Sequence, residues 1–135
     1  TQTSLIFGKY SYGDTLGIKV LGVPLIIGLN WVILIYSVGI LIEKLNVKSV
    51  ALRSGLGALV MVLLDIFIEP VAIRFDYWAW DDLTVPVRNY IAWFIFSFLL
   101  FRFFYAMDFE KRNPPGIVMV FVQFLFFIIL YLAPF

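Results

Sequence analysis

Four long apolar runs decide what this chain can become. They fall at about 23–42, 50–73, 89–105 and 116–132, with the third short for a span. A helix needs about 20 predominantly apolar residues to cross a bilayer core. Lipid offers no hydrogen bonds to an open backbone, so only helices and closed barrels span it. These runs are too long and too unalternating for barrel strands. The expected fold is an all-α integral membrane protein, a bundle of about four transmembrane helices forming one domain over 1–135. Composition agrees: 63% of the 135 residues are hydrophobic, 14% are charged, and the mean hydropathy is +1.00. A soluble domain is about half apolar and about a quarter charged.

The remaining segments read as connections. Residues 1–22 scatter Gly8, Gly13, Gly17 and Gly22 among Tyr10, Tyr12, Lys9 and Asp14. That composition predicts an interfacial loop or re-entrant segment, because Tyr favours the headgroup level. Polar turns are expected at 43–49 and 108–116, the second carrying the stop-and-restart signal Asn-Pro-Pro-Gly. Lys44, Lys48, Arg53, Lys111 and Arg112 lie on one side, and Lys9, Lys19, Arg74 and Arg88 on the other. The slight excess leans towards cytoplasmic 43–53 and 106–116 turns. The chain opens at Thr1 without an initiator Met, so a longer natural chain is expected.

What the chain lacks narrows its chemistry. It has no His and no Cys, which excludes the usual zinc ligands, a Ser-His-Asp or Cys-His nucleophile and a His-ligated haem. No Lys sits in the middle of an apolar run, so a retinal-type Schiff base is not expected. The net charge of +1, with no basic run, gives no reason to expect nucleic acid.

Against that background, "LLDIFIEPVAIRFDYWAWDD" at 63–82 stands out. Asp65 and Glu69 are four apart, so they share a helix face. Carboxyls at membrane depth are costly and face a bundle interior or a wet cavity. Burial favours the neutral form and a neighbouring acid pushes the same way, so at least one of the pair is expected to hold a proton. The structural alternative is that one acid pairs with Arg74, Arg88 or Arg102, or caps a broken helix. Pro70 removes a backbone donor, so the helix is expected to kink or end there and open space beside the acids.

The rings and acids that follow have two readings. Phe75, Tyr77, Trp78 and Trp80 suit an aromatic belt at the interface, and equally a surface that stabilises a cation through ring quadrupoles. In a loop, the spacing of two between Trp78 and Trp80 does not fix which ring faces inward, so only one inward ring is expected to contribute directly. Asp76 joins Asp65 and Glu69 as a candidate catalytic acid. "GLNW" and "RNYIAW" place Asn30 and Trp31, then Asn89, Tyr90 and Trp93, in or at the mouth of apolar segments. Either Asn can orient water or a carboxyl, or simply bond between helices. "SGLGA" at 54–58 lacks the Gly-Lys-Ser/Thr of a phosphate loop and reads as helix packing.

Taken together, "FGKYSYGDTLGIKVLGVPLIIGLNW", "LLDIFIEPVAIRFDYWAW" and "VPVRNYIAWF" resemble the membrane carotenoid hydratases, which include the bacterioruberin-pathway enzymes. The pieces stand in that family's order and spacing, and are more specific as a set than singly. The resemblance implies a polytopic protein that adds water across the terminal C=C of an acyclic carotenoid end, leaving a tertiary alcohol. It also implies further N-terminal transmembrane segments, with this chain corresponding to the C-terminal portion or a shortened relative. The expected setting is the cytoplasmic membrane of a bacterium or archaeon, with a carotenoid or other polyisoprenoid lipid as partner. The chemistry fits the residues: a buried carboxyl donates the proton, aromatic faces shield the cation, and the second carboxylate or an Asn holds the water. No cofactor and no metal are expected.

Three other functions compete. A polyisoprenoid prenyltransferase needs paired acid-rich motifs for magnesium, and only "DIFIE" approaches one. A carotenoid-binding or structural subunit of a larger membrane complex, with further membrane subunits, suits the apolar aromatic surface. A proton-conducting transporter fits less well, since no inverted repeat is visible.

Overall fold

Each apolar run satisfies its own backbone as a helix, because lipid leaves the peptide groups no other partner. In the computed structural model, which describes residues 2–4 and 7–134, the helices are α1 (Leu25–Glu43), α2 (Val50–Arg74), α3 (Val87–Ala106) and α4 (Pro114–Leu132). All four are long and apolar enough to cross a membrane. The chain is an integral membrane protein built as a helical bundle. Short strands precede and interrupt the helices: β1 (Gln2–Ser4), β2 (Gly8–Tyr12), β3 (Lys19–Val20), β4 (Val23–Pro24) and β5 (Trp78–Trp80).

Side-chain caps set two of the helix starts. Ser49 Oγ accepts the Leu52 amide at 3.2 Å, and Asn113 Oδ1 accepts the Gly116 amide at 3.2 Å. These bonds satisfy amides that have no partner inside the helix. Pro70 does not end α2, which runs on to Arg74. Ile68, Val71 and Ala72 on either side of the proline are buried, and their packing holds the helix together across the lost bond. Arg74 then turns away from the acids. Its guanidinium donates to the carbonyls of Leu130 (2.8 Å), Ala133 (3.0 Å) and Tyr131 (3.3 Å), the free end of α4. A cation there matches the negative pole of the helix.

α2 is the centre of the bundle. Half of its spanning stretch (50%) is buried inside the protein, against 17% for α4. The outer face of α4, with Val118, Phe121, Leu125 and Ile129, is left for lipid. Glycines let α3 approach closely on both sides. A Cβ on Gly57 would lie 2.7 Å from the Phe101 ring, and one on Gly39 2.5 Å from Phe104. The Tyr105 hydroxyl also donates to the Gly39 carbonyl at 2.8 Å. Within "SGLGA" it is Gly57 that meets a neighbour, while Gly55 faces open space.

The N-terminal segment differs from the expected loop, because it forms strands. β2 is the middle of a three-stranded antiparallel sheet ordered β1-β2-β5, with Tyr10 opposite Trp80 and Tyr12 opposite Trp78. β3 and β4 make a second hairpin through Leu21 and Gly22, both at positive φ (50° and 81°). Two such residues in a row form the tight turn that suits strand twist. The glycines suggested a loop, but β2 pairs with β5 from the far side of two helices. No local reading of 1–22 contains that partner.

Candidate functional site

Asp65 and Glu69 lie one turn apart on α2, with 0% and 1% of their surface exposed. Asn89, in the first turn of α3, is 2% exposed and reaches both. Its amide nitrogen donates to Asp65 Oδ2 at 2.8 Å and to Glu69 Oε1 at 3.1 Å. Glu69 Oε2 accepts two further bonds, from Trp78 Nε1 at 3.0 Å and Trp80 Nε1 at 2.8 Å. No arginine joins them. Among the described residues the ion pairs are Lys19–Asp14 and Arg53–Glu43, while Arg88 and Arg102 are exposed. The arginine-paired alternative is therefore not what holds these acids.

The indoles arrive together because 78–80 is a strand rather than a loop. Side chains two apart on a strand point the same way, so Trp78 and Trp80 both face Glu69. The expectation of a loop with one inward ring is corrected on this point. β2 fixes the pair from the other side: Tyr10 packs on Trp80 at 5.3 Å, and Tyr12 meets Trp78 edge-on at 6.4 Å. The Tyr12 hydroxyl donates to that of Tyr10 at 3.3 Å. Burial, reinforced by this bond, pushes the ionisation of Tyr12 well above the usual phenol range, so it stays a neutral donor.

Glu69 and Asn89 open onto a cavity of about 180 Å³ walled by Trp78, Trp80, Tyr10, Tyr12, Trp31 and Trp93, with Phe7, Ile27 and Phe96 at its margins. Trp31 and Trp93 pack against each other at 4.4 Å, their planes tilted by 34°. Asp65 is not part of the wall, and its Oδ1 is buried without a hydrogen-bond partner. A second cavity of about 320 Å³ adjoins the first across Trp31, Trp78 and Trp93. It takes in Tyr77 and Asn30, whose Oδ1 accepts from Gln123 Nε2 at 2.8 Å.

A family model described as "Carotenoid biosynthesis protein" matches residues 1–133. The chain belongs to the carotenoid biosynthesis protein family. No curated protein and no solved structure matches it. A role in carotenoid biosynthesis and a lipid or carotenoid partner fit both this membership and the four membrane-length helices.

For a member of a carotenoid family, the arrangement sorts the candidate residues. Glu69, Asn89, Trp31, Trp78, Trp80 and Trp93 meet at one cavity, and Tyr77 and Asn30 line its neighbour. Three candidates lie elsewhere, the first being Asp65, behind Asn89. Asp76 is exposed, in a left-handed turn (φ 57°) after α2, and Tyr90 lines neither of these cavities. The sequence did not mark Phe7, Tyr10, Tyr12, Ile27 and Phe96 on the first cavity, or Gln123 on the second. Tyr10 and Tyr12 alternate with Lys9 and Ser11, the period-two signal of a strand, and only the glycines obscured it.

The bonding around Glu69 also limits where a proton can sit. A carboxyl oxygen has two lone pairs. Oε2 uses both on indole N–H groups, and Oε1 uses one on Asn89. One position remains, on Oε1.

Proposed function

We propose that the chain hydrates the terminal C=C of an acyclic carotenoid end group, with Glu69 as proton donor. The observation that carries this reading is a buried carboxyl on an aromatic cavity wall, bonded only by neutral N–H donors and with one lone pair free. The proton on Glu69 Oε1 passes to the CH carbon of the terminal alkene, and the π electrons form the new C–H bond. This leaves a tertiary cation on the dimethyl carbon. The faces of Trp31, Trp78, Trp80 and Trp93 surround the cation and stabilise it through their quadrupoles. Three N–H groups stabilise the carboxylate left behind, with no reorganisation needed during reaction. Water adds its lone pair to the cation, and the resulting oxonium returns a proton to Glu69. The sum is alkene plus water to tertiary alcohol.

Asp65 takes the role of a positioning residue here, because it holds Asn89 from behind and does not line the cavity. The water then falls to groups on the wall, the Asn89 amide or the Tyr12–Tyr10 hydroxyl pair. Asp76 and Tyr90 have no step in this scheme. A carotenoid-binding subunit would use the same rings without needing the acid, so one experiment separates the two. Pigments are extracted from carotenoid-producing cells carrying the wild-type gene, the Glu69→Gln gene or neither. Hydroxylated ends from the wild type alone support hydration. Unchanged pigment that copurifies with the protein contradicts it.

A further inference from the structure

The cavity at Glu69 is too small for a whole carotenoid, and the fold places an apolar crevice directly beyond it. This crevice, about 240 Å³, runs between α1 and α3 from Trp31 to the turn after α3. Trp31 walls both spaces, packed on Trp93 at 4.4 Å and edge-on to Phe96 at 5.3 Å. Val32, Ile35, Leu100 and Phe103 form its sides, and Met107 and Phe109 its far end. Its one hydroxyl, on Tyr36, is already taken by Asn113 Nδ2 at 3.1 Å. The remaining lining side chains are aliphatic or aromatic, with the Met107 thioether at the far end.

We infer that this α1–α3 crevice is the binding site for the polyene tail, with Trp31 separating the reacting end from the chain. The identity of the tail rests on the hydration reading; the crevice and its direction do not. Length supports the assignment. From Asn89 to Met107, α3 rises about 27 Å at about 1.5 Å per residue, close to the roughly 30 Å of a bilayer core. A linear polyene comparable in length to the bilayer core, with its end at Glu69 and its chain in the crevice, would lie along the span. The second cavity is the poorer route. It contains the Asn30–Gln123 amide pair. A hydrocarbon tail there would cover polar groups it cannot bond.

The test is retention of lycopene, an acyclic polyene, through affinity purification of the full chain. It compares wild type, Leu100→Trp, Val32→Trp, Met119→Trp and Glu69→Gln. Overfilling a packed apolar site is strongly unfavourable, so both crevice variants should retain about tenfold less lycopene. Val32 is 69% exposed on α1, so its variant folds even if Leu100→Trp does not; size-exclusion profiles establish this. Met119→Trp, which fills the second cavity, and Glu69→Gln should retain as much as wild type. Unchanged retention in folded crevice variants overturns the inference, as does loss in Met119→Trp alone or no retention by wild type. Lycopene retained by wild type but never hydrated would sink the hydration reading and leave the crevice standing.

Discussion

The two ends of the bundle treat a carboxyl group in opposite ways. At one end Glu43 meets Arg53 at 2.6 Å, and the guanidinium also lies 4.6 Å over the Tyr105 ring. At the other, Glu69 sits among two indoles and an amide, with Asp65 behind the same amide. The first acid is neutralised by a cation and stays partly open to solvent, with 35% of its side chain exposed. The second is 1% exposed, on a cavity wall, and among the described residues has donors but no countercharge. A guanidinium fixes a negative charge in place, whereas neutral donors tolerate a carboxyl both before and after it gives up a proton. In the hydration we propose, the second end supplies the proton and the first only holds the fold.

The largest effect expected is at Glu69. Glu69→Gln keeps the shape and an acceptor but removes the proton, and should cut turnover by about 100- to 10,000-fold while pigment is still retained. Product formation and retained pigment, measured on the same preparation, check it. Loss of both together would make Glu69 a folding residue and erase the contrast between the ends.

The indoles come next. A ring beside a desolvated cation is worth about 2 kcal/mol or more, roughly thirtyfold in rate. Since Trp78 and Trp80 both face Glu69, Trp78→Leu and Trp80→Leu should each slow turnover by about that factor. If only one did, the other ring would be acting as packing for β2.

A smaller effect is expected at Asp65. Asp65→Asn should lower turnover by about tenfold, the size of one impaired hydrogen bond, because it disturbs Asn89 without touching substrate. A loss as large as that of Glu69→Gln would place Asp65 in the chemistry itself. The smallest effect belongs to the opposite end. Glu43→Gln should leave turnover unchanged and lower stability by no more than about 1 kcal/mol, read from thermal unfolding in detergent.

The bundle was legible in the sequence because spanning a bilayer imposes a length that Val50–Arg74 and its neighbours visibly meet. Asp65 and Glu69 were legible for a related reason, since acids are conspicuous where water is absent. The cap was not. Tyr10 opposite Trp80 is a pairing between residues 70 apart in the chain, and strand signals only three to five residues long do not name their partners. Reading 78–80 as a loop then hid the second indole. Asp76 looked equivalent to the other acids until the turn after α2 carried it outward. Pro70 drew attention as a helix breaker, but the buried residues around it outweighed one missing bond.

The central claim is that Glu69 passes its proton to a carotenoid carbon. Incubating the purified chain with lycopene in deuterated water and analysing the product by mass spectrometry tests it most directly. Wild type should form a tertiary alcohol with one non-exchangeable deuterium on the carbon next to it, and folded, pigment-retaining Glu69→Gln should form none. The same deuterated alcohol formed at an equal rate by Glu69→Gln would contradict it.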